Sequence, residues 1–254
     1  MIFDNEQDIL DWTSSLYGDN VLLFNGNSFE KKILKYLKDK SSLISDNGHD
    51  AFPPDYYSDI HSFMFDVMRV NDTEVNKKHN PVKERERKLE KELRESGILD
   101  KVSPDCKVFC MSETSDVSEH NYEAYRKNVN RVMQNHIDKI PIWTARHPDV
   151  KYKGLFIFDE TECYFEGIIT HAFDDKFLRG WQENNLVLHE PWNDENFISK
   201  AYDSDLDFLV LVYPWKYLGF PRVVGEQYPP IVIIDVRFPR TRPYKAYDTE
   251  MLVC

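Results

Sequence analysis

The chain has 254 residues, 41% of them hydrophobic and 14% aromatic, which is enough apolar material to bury one sizeable core, and we read 1–254 as a single domain. Its formal charge of −12 at pH 7 repels phosphate backbones at long range, which argues against a general nucleic-acid binder while leaving room for a local groove. The chain has no apolar run of about 18 residues to cross a bilayer, and its start is acidic where a signal peptide is basic. Its four cysteines (Cys106, Cys110, Cys163, Cys254) are scattered without a CxxC pair. The expectation is therefore a cytoplasmic protein with reduced thiols, no disulfide framework and no structural zinc.

Residues 2–17 place Ile9, Leu10, Trp12 and Leu16 at helical spacing, and 21–24 form a short apolar run ending at the turn residues Asn25, Gly26 and Asn27. Asn27 can cap a helix reaching about Lys38. Glu30 stands three residues on, as in a capping box, and Phe29, Ile33, Leu34 and Leu37 form one stripe. After a polar loop at 41–51, Pro53 and Pro54 force extended backbone into Asp55. Tyr56 and Tyr57 begin a strand, 58–61 offer a turn, and 62–70 (SFMFDVMRV) has the content of an interior strand, interrupted by Asp66.

A highly charged segment at 83–95 reads as an exposed helix, with Leu89 and Leu93 one turn apart. A strand at 107–111 (KVFCM), a long helix at 118–139 through Tyr122, Tyr125, Val129, Val132, Met133 and Ile137, and a strand at 154–158 (GLFIF) follow. Further strands are expected at 164–169, 208–213 (FLVLVY) and 231–236 (IVIIDV), the last two apolar enough to be buried on both faces, with 181–202 irregular. The expected fold is α/β: a mixed central sheet flanked by helices, with 20–160 as the core and 161–254 as a C-terminal elaboration of the same sheet.

Metal-assisted hydrolysis of a phosphodiester needs hard oxygen ligands held on a rigid sheet, with carboxylates on neighbouring strands as the minimum. Pro54-Asp55 is followed, after ten intervening residues, by Asp66-Val67-Met68-Arg69 within an apolar strand, and Glu30 lies on the helix before them. With the order helix, three strands, helix, strand, this pattern resembles the PD-(D/E)XK, or restriction-endonuclease-like, nuclease superfamily over residues 27–159. The resemblance implies a Mg2+ or Mn2+ site in which Glu30 holds or orients metal-bound water, Asp55 bridges or ligates the metal and Asp66 is the second ligand beside the Val67 carbonyl. It also implies nucleic acid as substrate, DNA before RNA, in DNA processing or defence against foreign DNA.

The lysine that positions the attacking water in that family is replaced by Met68, a neutral thioether. Arg69 is adjacent and could clamp a phosphate, although alternation along a strand points it to the opposite face; Lys31 or Lys107 could substitute from a neighbouring element.

The same residues have plainer readings. Glu30 can be only the capping-box partner of Asn27, Asp55 a turn residue after two prolines, and Asp66 a buried carboxylate paired with Arg69 or Arg87. Asp159, Glu160 and Glu162 form a second acidic cluster at a strand end that could contribute to a metal site but reads rather as a solvated hairpin turn, and the same holds for Asp203, Asp205 and Asp207. Near the C-terminus, Lys216, Arg222, Arg237, Arg240, Arg242 and Lys245 lie among Trp215, Tyr217, Phe220, Phe238, Tyr244 and Tyr247. That mixture suits stacked bases and clamped phosphates, and equally a tail packed on the sheet or a partner-binding surface. No HExxH, GxSxG, P-loop or GxGxxG is present. Three functions remain: a metal-dependent nuclease, a degenerate nuclease-fold protein serving a protein partner, and an unrelated α/β binding protein.

Overall fold

The structure, a computed structural model, describes residues 6–16, 21–45, 53–70, 81–98, 101–103, 122–161, 163–166, 187–214, 216 and 228–238. Helix α1 spans Glu6–Ser15, strand β1 Val21–Leu23 and helix α2 Ser28–Lys38. Strands β2 (Ile44–Ser45), β3 (Tyr56–Ser58) and β4 (Phe63–Val70) follow, then α3 (Pro81–Glu95), α4 (Tyr122–Ile137), α5 (Ile140–Arg146) and β5 (Tyr152–Asp159). The described remainder is β6 (Phe165–Glu166), β7 (Val187–Leu188), α6 (Glu195–Tyr202), β8 (Phe208–Val212) and β9 (Ile231–Asp235).

Among the described residues seven strands form one mixed sheet in the order β1-β9-β8-β5-β4-β3-β2, and β6 pairs with β7 in a second sheet. Strands β2, β3 and β4 make an antiparallel meander, β5 runs parallel to β4 and β8 parallel to β5, while β9 is antiparallel to β8 and parallel to β1. The C-terminal strands are thus interior to the sheet. Their unbroken apolar runs give every residue of β8 and β9 a buried position, as a strand covered on both faces requires.

Alternation along β4 divides the core. Met64, Met68 and Val70 face α4, α5 and α6, where they meet Val129, Met133, Trp143 and Phe197. Phe63, Phe65 and Val67 face α1 and α2, where Ile9, Leu10, Ile33 and Leu37 close the other side. Both clusters are continuous across the sheet, so the molecule has three layers, helices on each side of the strands. Gly154 is required where β5 meets β8: a Cβ there would lie 2.2 Å from the Phe208 ring.

The fold agrees with the expected mixed sheet flanked by helices. Two local expectations change. The stretch 181–202 was expected to be irregular, yet it contains α6, whose N-cap Asp194 accepts from the amides of Asn196 and Phe197 and whose Phe197, Ile198 and Ala201 are buried. The long helix expected through 139 ends at Ile137, and a new helix, α5, begins at Ile140 with Pro141 in its first turn; residues 118–121 lie outside the described residues. The expected strand at 107–111 lies outside the described residues. No helix among the described residues is long and apolar enough to cross a membrane.

Candidate functional site

Two of the acids singled out from sequence come together. Tyr56 pairs with Phe65, so Asp55 and Asp66 occupy the next rung at the mouth of the β3–β4 hairpin. The Asp55 amide donates to Asp66 Oδ1 at 3.2 Å and the Val67 amide donates to Asp55 Oδ2 at 2.7 Å. The loop enters this rung through a cis Pro53–Pro54 peptide, and Arg146 of α5 donates to the Pro53 carbonyl at 3.4 Å.

Asp66 is only 3% exposed, on the face toward α4. Its partner is neither Arg69 nor Arg87. His136, in the last turn of α4, meets Asp66 Oδ2 through Nδ1 in a very short contact. Burial pushes the Asp55 carboxyl up to about 8, and the Asp66 carboxylate beside it adds to the rise.

This shift yields a test. The native state holds a proton that the unfolded chain releases near pH 4, so the stabilising contribution of Asp55 is complete below that pH and is lost as pH rises through about 8. Asp55→Asn should raise stability above pH 8 by about 2 kcal/mol, or roughly 4–8 °C in Tm, and flatten the pH profile of thermal melts. A profile unchanged by the substitution would contradict this placement of the carboxyl.

Glu30 is elsewhere. It is fully buried on α2, and its carboxylate accepts from the amides of Asn25 (2.9 Å to each oxygen), Gly26 (2.8 Å) and Asp235 (3.0 Å). Burial raises its carboxyl above the ordinary range while these amides pull it back. Asn27 does cap the helix, its Oδ1 accepting from the Glu30 amide at 2.9 Å. The carboxylate, however, chiefly ties α2 to the ends of β1 and β9. Asp235, Phe208, Gly154 and Phe65 lie in one row across the sheet, three strand spacings or about 14 Å from end to end. Glu30 therefore sits on the opposite face from Asp66 and far from it.

Met68, in the lysine's position, is 1% exposed in the core. Arg69 points to the other face, as alternation requires, and forms a bidentate pair with Glu160 through Nε (3.2 Å) and Nη2 (2.5 Å). Lys31 is exposed on α2, and Lys107 lies outside the described residues. Among the described residues no group of three or more His, Cys, Asp or Glu is arranged to hold a metal ion.

A second polar cluster lies at the carboxyl end of β5. Asp159, expected in a solvated turn, is 1% exposed and accepts from Tyr125 Oη at 2.7 Å, the Thr161 amide at 2.9 Å and Thr161 Oγ1 at 2.7 Å. Lys216 is also 1% exposed, with Nζ 3.2 Å from Asp159 and 2.8 Å from Thr161 Oγ1, over the rings of Tyr125, Tyr164 and Tyr213. This lysine, one of the group suited either to clamped phosphates or to a tail packed on the sheet, is packed in the core beside Asp159. The ring of aromatic residues supplies the attraction that solvent would otherwise provide. Glu162 lies outside the described residues, as do Trp215, Tyr217, Phe220, Arg222, Arg240, Arg242, Tyr244, Lys245 and Tyr247.

His136 was missed by sequence reasoning. The signal was present: Tyr125, Val129, Met133 and His136 follow one helical stripe, so the polar residue at its end faces the sheet, where it ends half-buried against Asp66. Comparison of the chain with protein-family models, curated proteins and solved structures gives no match.

Proposed function

We propose that the chain carries a restriction-endonuclease-like core whose hydrolytic centre has closed, and that it acts by binding, as an interaction or regulatory subunit. Connectivity supports the scaffold. Helix α2, the meander β2-β3-β4, α4 and the parallel strand β5 follow the superfamily's order, with the acid after proline entering the second of the three strands and the other acid on the third.

One observation carries the closed centre: His136 takes the Asp66 oxygen that would face a cation. The remaining groups do not fit a catalytic metal either. The other Asp66 oxygen accepts from Asp55, one Asp55 oxygen accepts from Val67, Met68 is core and Glu30 is on the other face. Met68 stands where the lysine would position an attacking water, and His136, the imidazole on that face, is held against Asp66.

A second reading, a Mg2+- or Mn2+-dependent nuclease acting on DNA, is favoured by the Asp55–Asp66 juxtaposition itself. Two carboxylates on one rung, with Asp55 pushed up to about 8, form an environment that a divalent cation relieves. A nuclease assay with manganese on the unaltered protein, Asp55→Ala and Asp66→Ala separates the two. The closed centre predicts no cleavage above that of the variants; cleavage abolished by both substitutions would establish the second reading.

A further inference from the structure

Helix α2 is an island of positive charge in an acidic chain. Its sequence, SFEKKILKYLK, holds four lysines, and its one acid, Glu30, is sequestered among backbone amides. Lys32 projects to the start of β5, where its Nζ lies 3.5 Å from Tyr152 Oη and 4.8 Å from the ring centroid. Lys151 lies near the same ring, with Nζ 5.0 Å from the centroid. Arg237, fixed by two bonds to Asp235, stands 6.0 Å from that ring and close to the 64%-exposed Phe238.

Among the described residues neither Lys32 nor Lys151 is paired with a carboxylate. Two ammonium groups converging on one phenol repel each other, an arrangement that is relieved by an anion between them. The phenol responds to the same field: Lys151 and then Lys32 hold Tyr152 below its ordinary range, against burial. A phenol that accepts from ammonium groups keeps its own proton to donate, so the three groups offer a phosphoryl oxygen two charges and a hydrogen bond.

We propose that Lys32, Lys151 and Tyr152 form a binding site for a phosphoryl group, carried by a free phosphate compound or by a nucleic-acid strand. The site lies at the amino-terminal end of β5 on the α2 side, apart from the Asp55–Asp66 pair, and does not depend on the reading given for that pair.

The test is titration of the unaltered protein with pyrophosphate, with adenosine monophosphate and with a short 5′-phosphorylated oligonucleotide. The same titrations are run on Lys32→Ala/Lys151→Ala and on the control Lys88→Ala/Lys91→Ala on α3, with thermal melts verifying the fold. Saturable binding, weakened about tenfold or more by the first pair and unchanged by the control, supports the site. Binding of all three probes, competing with one another, makes the phosphoryl group sufficient; binding of the oligonucleotide alone assigns the group to a strand. No binding of any probe at millimolar concentration overturns the proposal, as does equal weakening by both pairs or by neither.

Discussion

Glu30→Ala lowers stability by about 3–6 kcal/mol, because it strips the acceptor from three amides (Asn25, Gly26, Asp235) in a fully buried position, at about 1–3 kcal/mol for each donor left unsatisfied. In Tm this is roughly a 10 °C fall or more, and chemical denaturation gives the same ordering. Glu30→Gln keeps one acceptor oxygen and loses less. The substitution also bears on function, since a residue orienting metal-bound water would leave the melt intact and alter only the response to manganese. An unchanged Tm in Glu30→Ala would mean that the α2–β9 tie does not hold the sheet's far edge.

Lys216→Met is the second large effect. The methionine fills most of the stem's volume but leaves Asp159 buried without its cation, and breaking a buried pair from one side costs about 3–5 kcal/mol. Adding Asp159→Asn should recover part of the loss, because the amide removes the uncompensated charge and its one oxygen still accepts from Thr161, while its NH2 turns to Tyr125, whose hydroxyl can accept. Measured as a double-mutant cycle, the two sites should couple by more than about 1 kcal/mol. Additive losses would show that Lys216 is held by the tyrosines alone.

Much of the architecture was legible where apolar patterning was strong. The runs FLVLV and IVIID announce strands covered on both faces, and the structure places both inside the sheet. Helix α2 was readable from its cap, Asn27, and its stripe. Helix α6 was not, because ENFISKAY is short and its stripe, Phe197, Ile198 and Ala201, is too brief to stand out from loop sequence.

The site was legible in part. The spacing from Asp55 to Asp66 fits a hairpin, which fixes their pairing locally. Glu30 reached a different place because its partner, Asp235, is 205 residues away along the chain, and no local pattern encodes that contact. Asp159 shows the same limit: an acid beside Glu160 looks solvated until Lys216, 57 positions on, folds over it. Such long-range polar pairs are decided by packing, after the strands have found their order.

Asp55 and Asp66 are either open to a cation or closed by His136, and calorimetric titration with manganese measures this directly. The closed centre predicts no binding heat for the unaltered protein and a new saturable one for His136→Ala, abolished again when Asp66→Ala is added. Stoichiometric binding by the unaltered protein, lost in Asp55→Ala and Asp66→Ala, would contradict it and return the pair to the role of a metal site.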